Sequence, residues 1–255
     1  MNTNNKEILK TILQQVIPGT ILLAKYLEKL GASRDLQQYY KRSGWLYSLA
    51  PGVFFMPQAK PTWQGAIYAL QNQAGLQIHP GGLTALSLQG FAHYIRQDNE
   101  LIYIFSQINK KLPKWFVNRD LQQNLQACYT NFLPDYLGII EFKFSNFSIK
   151  IASAERAILE CLFLAPEKMD IVECYHLMEG LVNLRPDVLQ TLLENCKSIK
   201  VKRLFLFMAN KAKHSWLKYL DLTKIDIGKG DRLLAKNGVY DKNYQITIPK
   251  ELRDL

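Results

Sequence analysis

The chain has 255 residues, of which 48% are hydrophobic, and a formal charge of +10. That length accommodates one large or two ordinary domains with a substantial core. No apolar run approaches the roughly 18 residues that span a bilayer, and the opening MNTNNKEILK has no apolar signal region, so a cytoplasmic protein without a membrane role is expected.

The charge is uneven. Residues 1–60 carry 8 Lys/Arg against 3 Asp/Glu, residues 61–197 carry 11 against 13, and residues 198–255 carry 13 against 6. Basic ends favour a polyanionic partner through counterion release, or form a solvated lysine-rich surface. Cys128, Cys161, Cys174 and Cys196 lie 33, 13 and 22 residues apart. That fits neither a disulfide framework nor a zinc site and predicts buried, reduced thiols.

Ile8, Leu9, Ile12, Leu13 and Val16 form one apolar helical stripe, closed by Pro18-Gly19. Thr20 is read as the N-cap of a second helix through Leu30, with Ile21, Ala24 and Leu27 inward. Gly31 stands where a left-handed residue is wanted, and Ser33 caps a third helix ending near Ser43-Gly44. On it, Arg34, Gln37, Gln38 and Lys41 recur at helical spacing, while Leu36 and Tyr40 point inward. Arg or Lys can bond guanine and Gln adenine, so this face is a candidate groove reader; exposed Gln and Lys are also ordinary helix-surface residues. Lys25, Lys29 and Arg42 are candidate phosphate contacts, and Ser33 is counted with them among the DNA-binding residues. Trp45–Leu49 and Val53–Pro57, joined at Ala50-Pro51-Gly52, complete a winged helix-turn-helix, whose tip carries no cation.

Beyond a linker at Lys60-Pro61, a helix TWQGAIYALQNQ with Pro61 at its first position is expected, then a strand at residues 76–78 and a helix opened by Pro80-Gly81-Gly82. Residues 101–105 read as a strand, 108–135 as irregular, and 138–144 with 147–151 as paired strands turned at Ser145-Asn146. Ser153 caps the apolar AERAILECLFLA, and helices follow near 170–179, 186–196 and 200–211. Residues 232–248 read as a hairpin turned at Asn237-Gly238 and finished at Pro249. The fold expected is mixed α/β (α+β), with a winged helix-turn-helix over 1–60 and a larger α/β domain over 61–255.

In order along the chain, SGWLYSLAPGVFFMP, PTWQGAIYALQNQAGLQIHPGGLTALSLQGFAHY, IASAERAILECL, LMEGLVNLRPDVLQTLLENCKSIKVKRLFLF and KNYQITIP resemble the AbiEi antitoxins of type IV, abortive-infection toxin–antitoxin systems. The resemblance implies a non-enzymatic phage-defence regulator. Its N-terminal winged helix would bind and repress its own promoter DNA, and its remainder would counter a nucleotidyltransferase toxin. It implies no cofactor. Such proteins often carry a basic wing tip, where this chain has Ala50-Pro51.

Other constellations are weak. His79, His93, His176 and His214 have no metal-ligand spacing; His214 beside Trp216 is read as packed or exposed, with phosphate contact as the alternative. Pro134-Asp135 followed by Glu141-Phe142-Lys143 has the order of a PD…ExK nuclease, the alternative function, although only five residues separate Asp135 from Glu141. The QITIPK string at 245–250 is read as a terminal strand, and Gly228-Lys229-Gly230 as a turn. Lys200, Lys202, Arg203, Lys211 and Lys213 form a possible basic patch for DNA backbone, RNA or toxin, or a solvated helix edge.

Overall fold

The computed structural model describes residues 3–92, 101–117, 124–144 and 146–255; the reading of His93 and of Ser145 in a turn lies outside them. Helix α1 (Thr3–Gln15) leads into strand β1 (Leu22–Leu23), α2 (Ala24–Lys29), α3 (Arg34–Arg42), β2 (Tyr47–Ala50) and β3 (Val53–Phe55). Next come α4 (Trp63–Tyr68), β4 (Ile78–Pro80), α5 (Gly82–Leu88), β5 (Leu101–Ser106), α6 (Lys114–Val117) and β6 (Asn124–Tyr129). Strands β7 (Ile139–Lys143) and β8 (Ser148–Ala152) precede α7 (Ala154–Leu164), α8 (Ile171–Gly180), α9 (Pro186–Asn195) and α10 (Ile199–Lys211). The last elements are β9 (Arg232–Leu233), β10 (Val239–Asp241), β11 (Ile246–Ile248) and α11 (Lys250–Asp254).

The chain gathers into two compact units. One holds Met1–His79, Asn99–Cys128 and Glu141–Lys150; the other holds Pro80–Asp98, Tyr129–Ile140 and Ile151–Leu255. The boundary expected at residue 60 falls inside the first of these units. There α4 and the π-helical turn Ala69–Gln73 are fastened to the winged helix. Thr62, not Pro61, caps α4, with its hydroxyl accepting from the Gly65 amide. The Thr62 amide donates to the Gly19 carbonyl. The Gln73 side chain pairs with β1 as a strand would: Leu23 N–H donates to its Oε1 at 2.9 Å and its Nε2 donates to the Ile21 carbonyl at 2.7 Å.

In the first unit, β1, β3 and β2 form an antiparallel sheet, with Leu22 opposite Phe54 and Tyr47 opposite Phe55. Here the expected second helix is corrected. Thr20 is no cap: it is buried, and its hydroxyl donates to the Ile17 carbonyl. Leu22 and Leu23 extend to pair with the wing, and α2 starts only at Ala24. Leu9, Ile12, Leu27, Leu36, Tyr40 and Phe54 are core residues beneath this sheet and the three helices. Leu13, expected in the stripe, is 40% exposed.

In the second unit, α7 is the central helix, packed by α5, α8, α9 and α10. The Ser153 cap of α7 and the positions of α8, α9 and α10 follow the expectation; Pro186 opens α9, and Asp170 and Ser198 cap α8 and α10. Two regions of the chain differ from expectation, the first of them in the first unit. Residues 114–117 and 124–129 are regular, as α6 and β6, and β6 lies beside β5 in the sheet ordered β4-β5-β6. At the C-terminus the hairpin is β10 with β11, turned through 242–245, whereas β9 runs parallel to β11; Asn237-Gly238 precedes the hairpin. The 245–250 string supplies β11 and then opens α11.

Gly65 makes the closest approach in the first unit. A Cβ there would fall inside contact distance of the Gly19 carbonyl oxygen and of Thr20 Cα, both backbone. Gly65→Ala should therefore cost about 1–3 kcal/mol, because neither neighbour can rotate away. Urea unfolding followed by tryptophan fluorescence checks this, and unchanged stability would mean that the Gly19–Thr20 backbone yields freely.

Candidate nucleic-acid interface

Helices α2 and α3 meet at a turn whose geometry is local. Gly31 adopts φ +93°, a left-handed conformation that costs a β-carbon residue energy. Ser33 then caps α3, its Oγ accepting from the Leu36 amide at 3.3 Å. Asp35 in the first turn and Lys41 and Arg42 in the last complement the helix dipole. Leu36 and Tyr40 anchor the inner face, and the Tyr40 hydroxyl donates to the Asn5 carbonyl at 2.7 Å.

Gln37 completes that inner face, which corrects its assignment as a base reader. It is 2% exposed, and its Nε2 donates to the carbonyls of Ala24 at 3.1 Å and Ala32 at 2.9 Å. One amide thereby ties α3 to the start of α2 and to the turn between them. The exposed strip is Arg34, Gln38 and Arg42, at i, i+4 and i+8, with Lys41 at its edge. Arg42, expected only at the flank, lies within the strip. Arg34 is almost wholly exposed and holds Glu28 of α2 at 3.2 Å. Lys25 and Lys29 are exposed on α2, and Ser33 is exposed with its oxygen engaged as the cap. Tyr39, Trp45 and Tyr47 are 40–50% exposed beside the strip, with Tyr47 set edge-on against Phe55 at 5.7 Å. On the wing, the Ser48 hydroxyl donates to the Ala50 carbonyl.

The second basic cluster is not a surface patch. Lys202 and Arg203 are 3% and 0% exposed. Lys202 Nζ donates to the Asp226 carbonyl. Arg203 spends its guanidinium on the carbonyls of Ile227, Gly228, Gly230 and Gln245 and on the Gln245 side chain. Lys200 is half-buried, reaching the carbonyls of Phe163 and Ala165, and burial lowers its pKa. Lys211 donates to the Arg253 carbonyl, and Lys213 alone of the five is exposed. The basic spacing on α10 thus tethers a C-terminal strap through its backbone.

Burial also claims charges in α7 that read as ordinary first-turn residues. Glu155 is gripped by Arg185, whose Nε and backbone amide donate to Oε1 and whose Nη2 donates to Oε2. Burial alone would raise the Glu155 pKa; hydrogen bonds from Arg185 and Ser153 outweigh it and hold the pKa at about 2. Arg156 donates to Glu160 at 2.7 Å and to the carbonyls of Pro134 and Leu137, and Glu160 accepts from the Gly82 amide. A signal for this was present: Arg156 and Glu160 stand four apart in an otherwise apolar helix.

The remaining candidates are placed as follows. His214 is packed, stacked on Trp216 at 4.9 Å and bonded to the Met178 carbonyl. His79 stacks on Phe105, and His176 pairs with Glu179. Glu141 and Lys143 are both exposed on β7, while Asp135 belongs to the other unit. Among the described residues, no three His, Cys, Asp or Glu side chains gather to hold a metal. All four cysteines are free and buried, with the thiol pKa of Cys161, Cys174 and Cys196 raised by burial. No helix among the described residues is long and apolar enough to cross a membrane.

Two family models match the chain. Residues 5–97 match the N-terminal domain of AbiEi antitoxin transcriptional regulators, and residues 99–249 match the AbiEi antitoxin transcriptional regulators of type IV toxin–antitoxin systems. No curated protein matches in sequence. The crystal structure of the RV2827C protein from Mycobacterium tuberculosis is similar in fold, with TM-score 0.58 and 13% identity over 96% of this chain and 91% of that one.

Two outcomes follow from the buried polar groups. Gln37→Leu should lower stability by about 1–3 kcal/mol by leaving two buried carbonyls unpaired; denaturant titration measures it, and wild-type stability would mean these carbonyls find other donors. Glu155 has a folded pKa near 2 against an ordinary 4.5. Its stabilisation is thus complete above pH 4.5 and fades as pH falls toward 2. The stability gap between wild type and Glu155→Gln should shrink across that interval in acid titrations; a gap constant with pH would exclude an ionised Glu155 as its source.

Proposed function

Because this chain belongs to the AbiEi family of transcriptional-regulator antitoxins of type IV toxin–antitoxin systems, we propose that it binds the promoter DNA of its own operon through α3 and represses it, and that the chain beyond the winged helix counteracts a nucleotidyltransferase toxin. On this reading the protein acts by binding and not by catalysis. The observation that carries the DNA-binding half is the exposed strip of Arg34, Gln38 and Arg42 over an inner face locked by Leu36, Gln37 and Tyr40. A helix held rigidly from behind can present its outer side chains to the major groove without first ordering itself.

Within that reading, Arg34 and Gln38 meet base edges, since they lie toward the N-terminal part of α3, where recognition helices touch bases. Lys41, Arg42, Lys25 and Lys29 contact phosphates and fix the register. The wing adds Tyr47 and Ser48, because its Pro51-Gly52 tip has no cation to offer. Arg34 must exchange Glu28 for DNA, and at so exposed a position that exchange costs little.

Fluorescence anisotropy with the operon's own upstream DNA tests the assignment. Arg34→Ala together with Gln38→Ala should weaken specific binding by about 1–3 kcal/mol per lost base contact while leaving the melting temperature unchanged. Lys29→Ala should weaken specific and random DNA alike and make the salt dependence shallower. Undiminished operator affinity in the Arg34/Gln38 double variant would remove α3 as the reader. Co-expression with a cognate nucleotidyltransferase toxin tests the second half, and growth arrest despite this chain would overturn it.

A further inference from the structure

The second unit contains a half-open cleft of about 430 Å³ that the repressor function does not use. The C-terminal half of α10 forms one wall, the β10–β11 hairpin the other, and Arg253 of α11 closes one end. Its volume is in the range of small-molecule sites. Its floor is apolar and firm: Phe207 and Ile248 are 9% and 2% exposed, and the Tyr244 ring stands edge-on to Phe207 at 6.0 Å.

The rim is of opposite character. Lys211, Lys242 and Arg253 bring three cations, against the single carboxylate of Asp241, whose Oδ1 already accepts from the Tyr244 amide. Asn210 and Asn243 add amides. Among the described residues, the side chains of Asn210, Lys242, Asn243 and Arg253 have no hydrogen-bond or ion-pair partner, whereas the buried Arg203 and Glu155 of this unit are fully engaged. Tyr240 exposes 47% of its surface at the lip and is steadied by its hydroxyl bond to Asp231 at 2.6 Å.

We propose that this cleft binds a nucleotide, with Lys242 and Arg253 on its phosphate, the base against Tyr240 and Tyr244, and Asn210 and Asn243 at the base edge. Each part of the cleft answers one part of that ligand. A rim with three cations to one carboxylate suits a phosphate. A tyrosine face exposed at a lip suits a planar base, as in single-strand binding sites. Amides that both donate and accept suit a base edge. An acidic peptide would satisfy the cations but leave the amides and tyrosines without a counterpart. The nucleotide can be free or the end of a single RNA strand, since both offer the same chemistry at one residue's length.

The test is isothermal titration of the full chain with ATP, with a five-nucleotide single-stranded RNA, and with inorganic triphosphate. Saturable binding of ATP or the RNA, at least tenfold tighter than triphosphate, is expected. The tighter of the two identifies the source. Lys242→Ala with Arg253→Ala, both exposed and unbonded through their side chains, should weaken that binding at least tenfold without altering the melting temperature. Arg34→Ala with Gln38→Ala should leave it unchanged, which separates the cleft from the DNA-reading helix. Equal binding of triphosphate would reduce the site to a polyanion patch and overturn the nucleotide assignment. No saturable binding at millimolar concentration, or binding untouched by the Lys242/Arg253 variant, would overturn it as well.

Discussion

The carbonyls of Ala24 and Ala32 share one buried donor, the side-chain amide of Gln37. That interaction sets α3 against α2, and with it the direction in which Arg34, Gln38 and Arg42 point. Leu36 and Tyr40 supply the hydrophobic attraction on the same inner face. Apolar contact is tolerant of small rotations, whereas a double hydrogen bond to two fixed carbonyls is not. The proposed role of α3 needs that second kind of constraint, because base recognition depends on the position of side-chain ends several ångströms from the backbone.

The same device recurs through the molecule. Gln73 pairs with the backbone of β1, and Gln71 with that of β8, donating to and accepting from Lys150 at 2.8 Å. Arg203 and Lys202 tether the strap from Asp226 to Gly230 by its carbonyls. Among the described residues, no buried side-chain nitrogen or oxygen lacks a partner. A chain rich in short strands and irregular connections has many backbone groups that no sheet or helix pairs, and burying them without partners would be costly. Long polar side chains meet that need, so part of the basic excess is structural and never reaches solvent.

This bears on how charge is read. The C-terminal segment has the larger positive excess, yet of the five cations singled out on and just after α10, two lie in the interior and two more are committed to backbone carbonyls. In the first unit, by contrast, the exposed cations Lys25, Lys29, Arg34, Lys41 and Arg42 lie together on one helix pair. Where a charge points matters more for a nucleic-acid partner than how many a segment contains.

Much of the local structure was legible from the chain alone. The caps at Ser33 and Ser153, Gly31 at the turn, the wing hairpin and the order of α7 to α10 each follow from side chains a few residues apart, whose bonding is decided within one turn of helix. The overall resemblance to AbiEi antitoxins was likewise carried by residues in order. Tertiary structure decided the rest. Whether Thr20–Leu23 coils or extends depends on a wing strand thirty residues away. Gln37 and Gln38 are adjacent and identical, yet one faces the core and the other the solvent because only one reaches Ala24 and Ala32. A periodic face holds two or three neighbouring positions equally well. The partner across the fold, absent from any local window, selects which of them is buried.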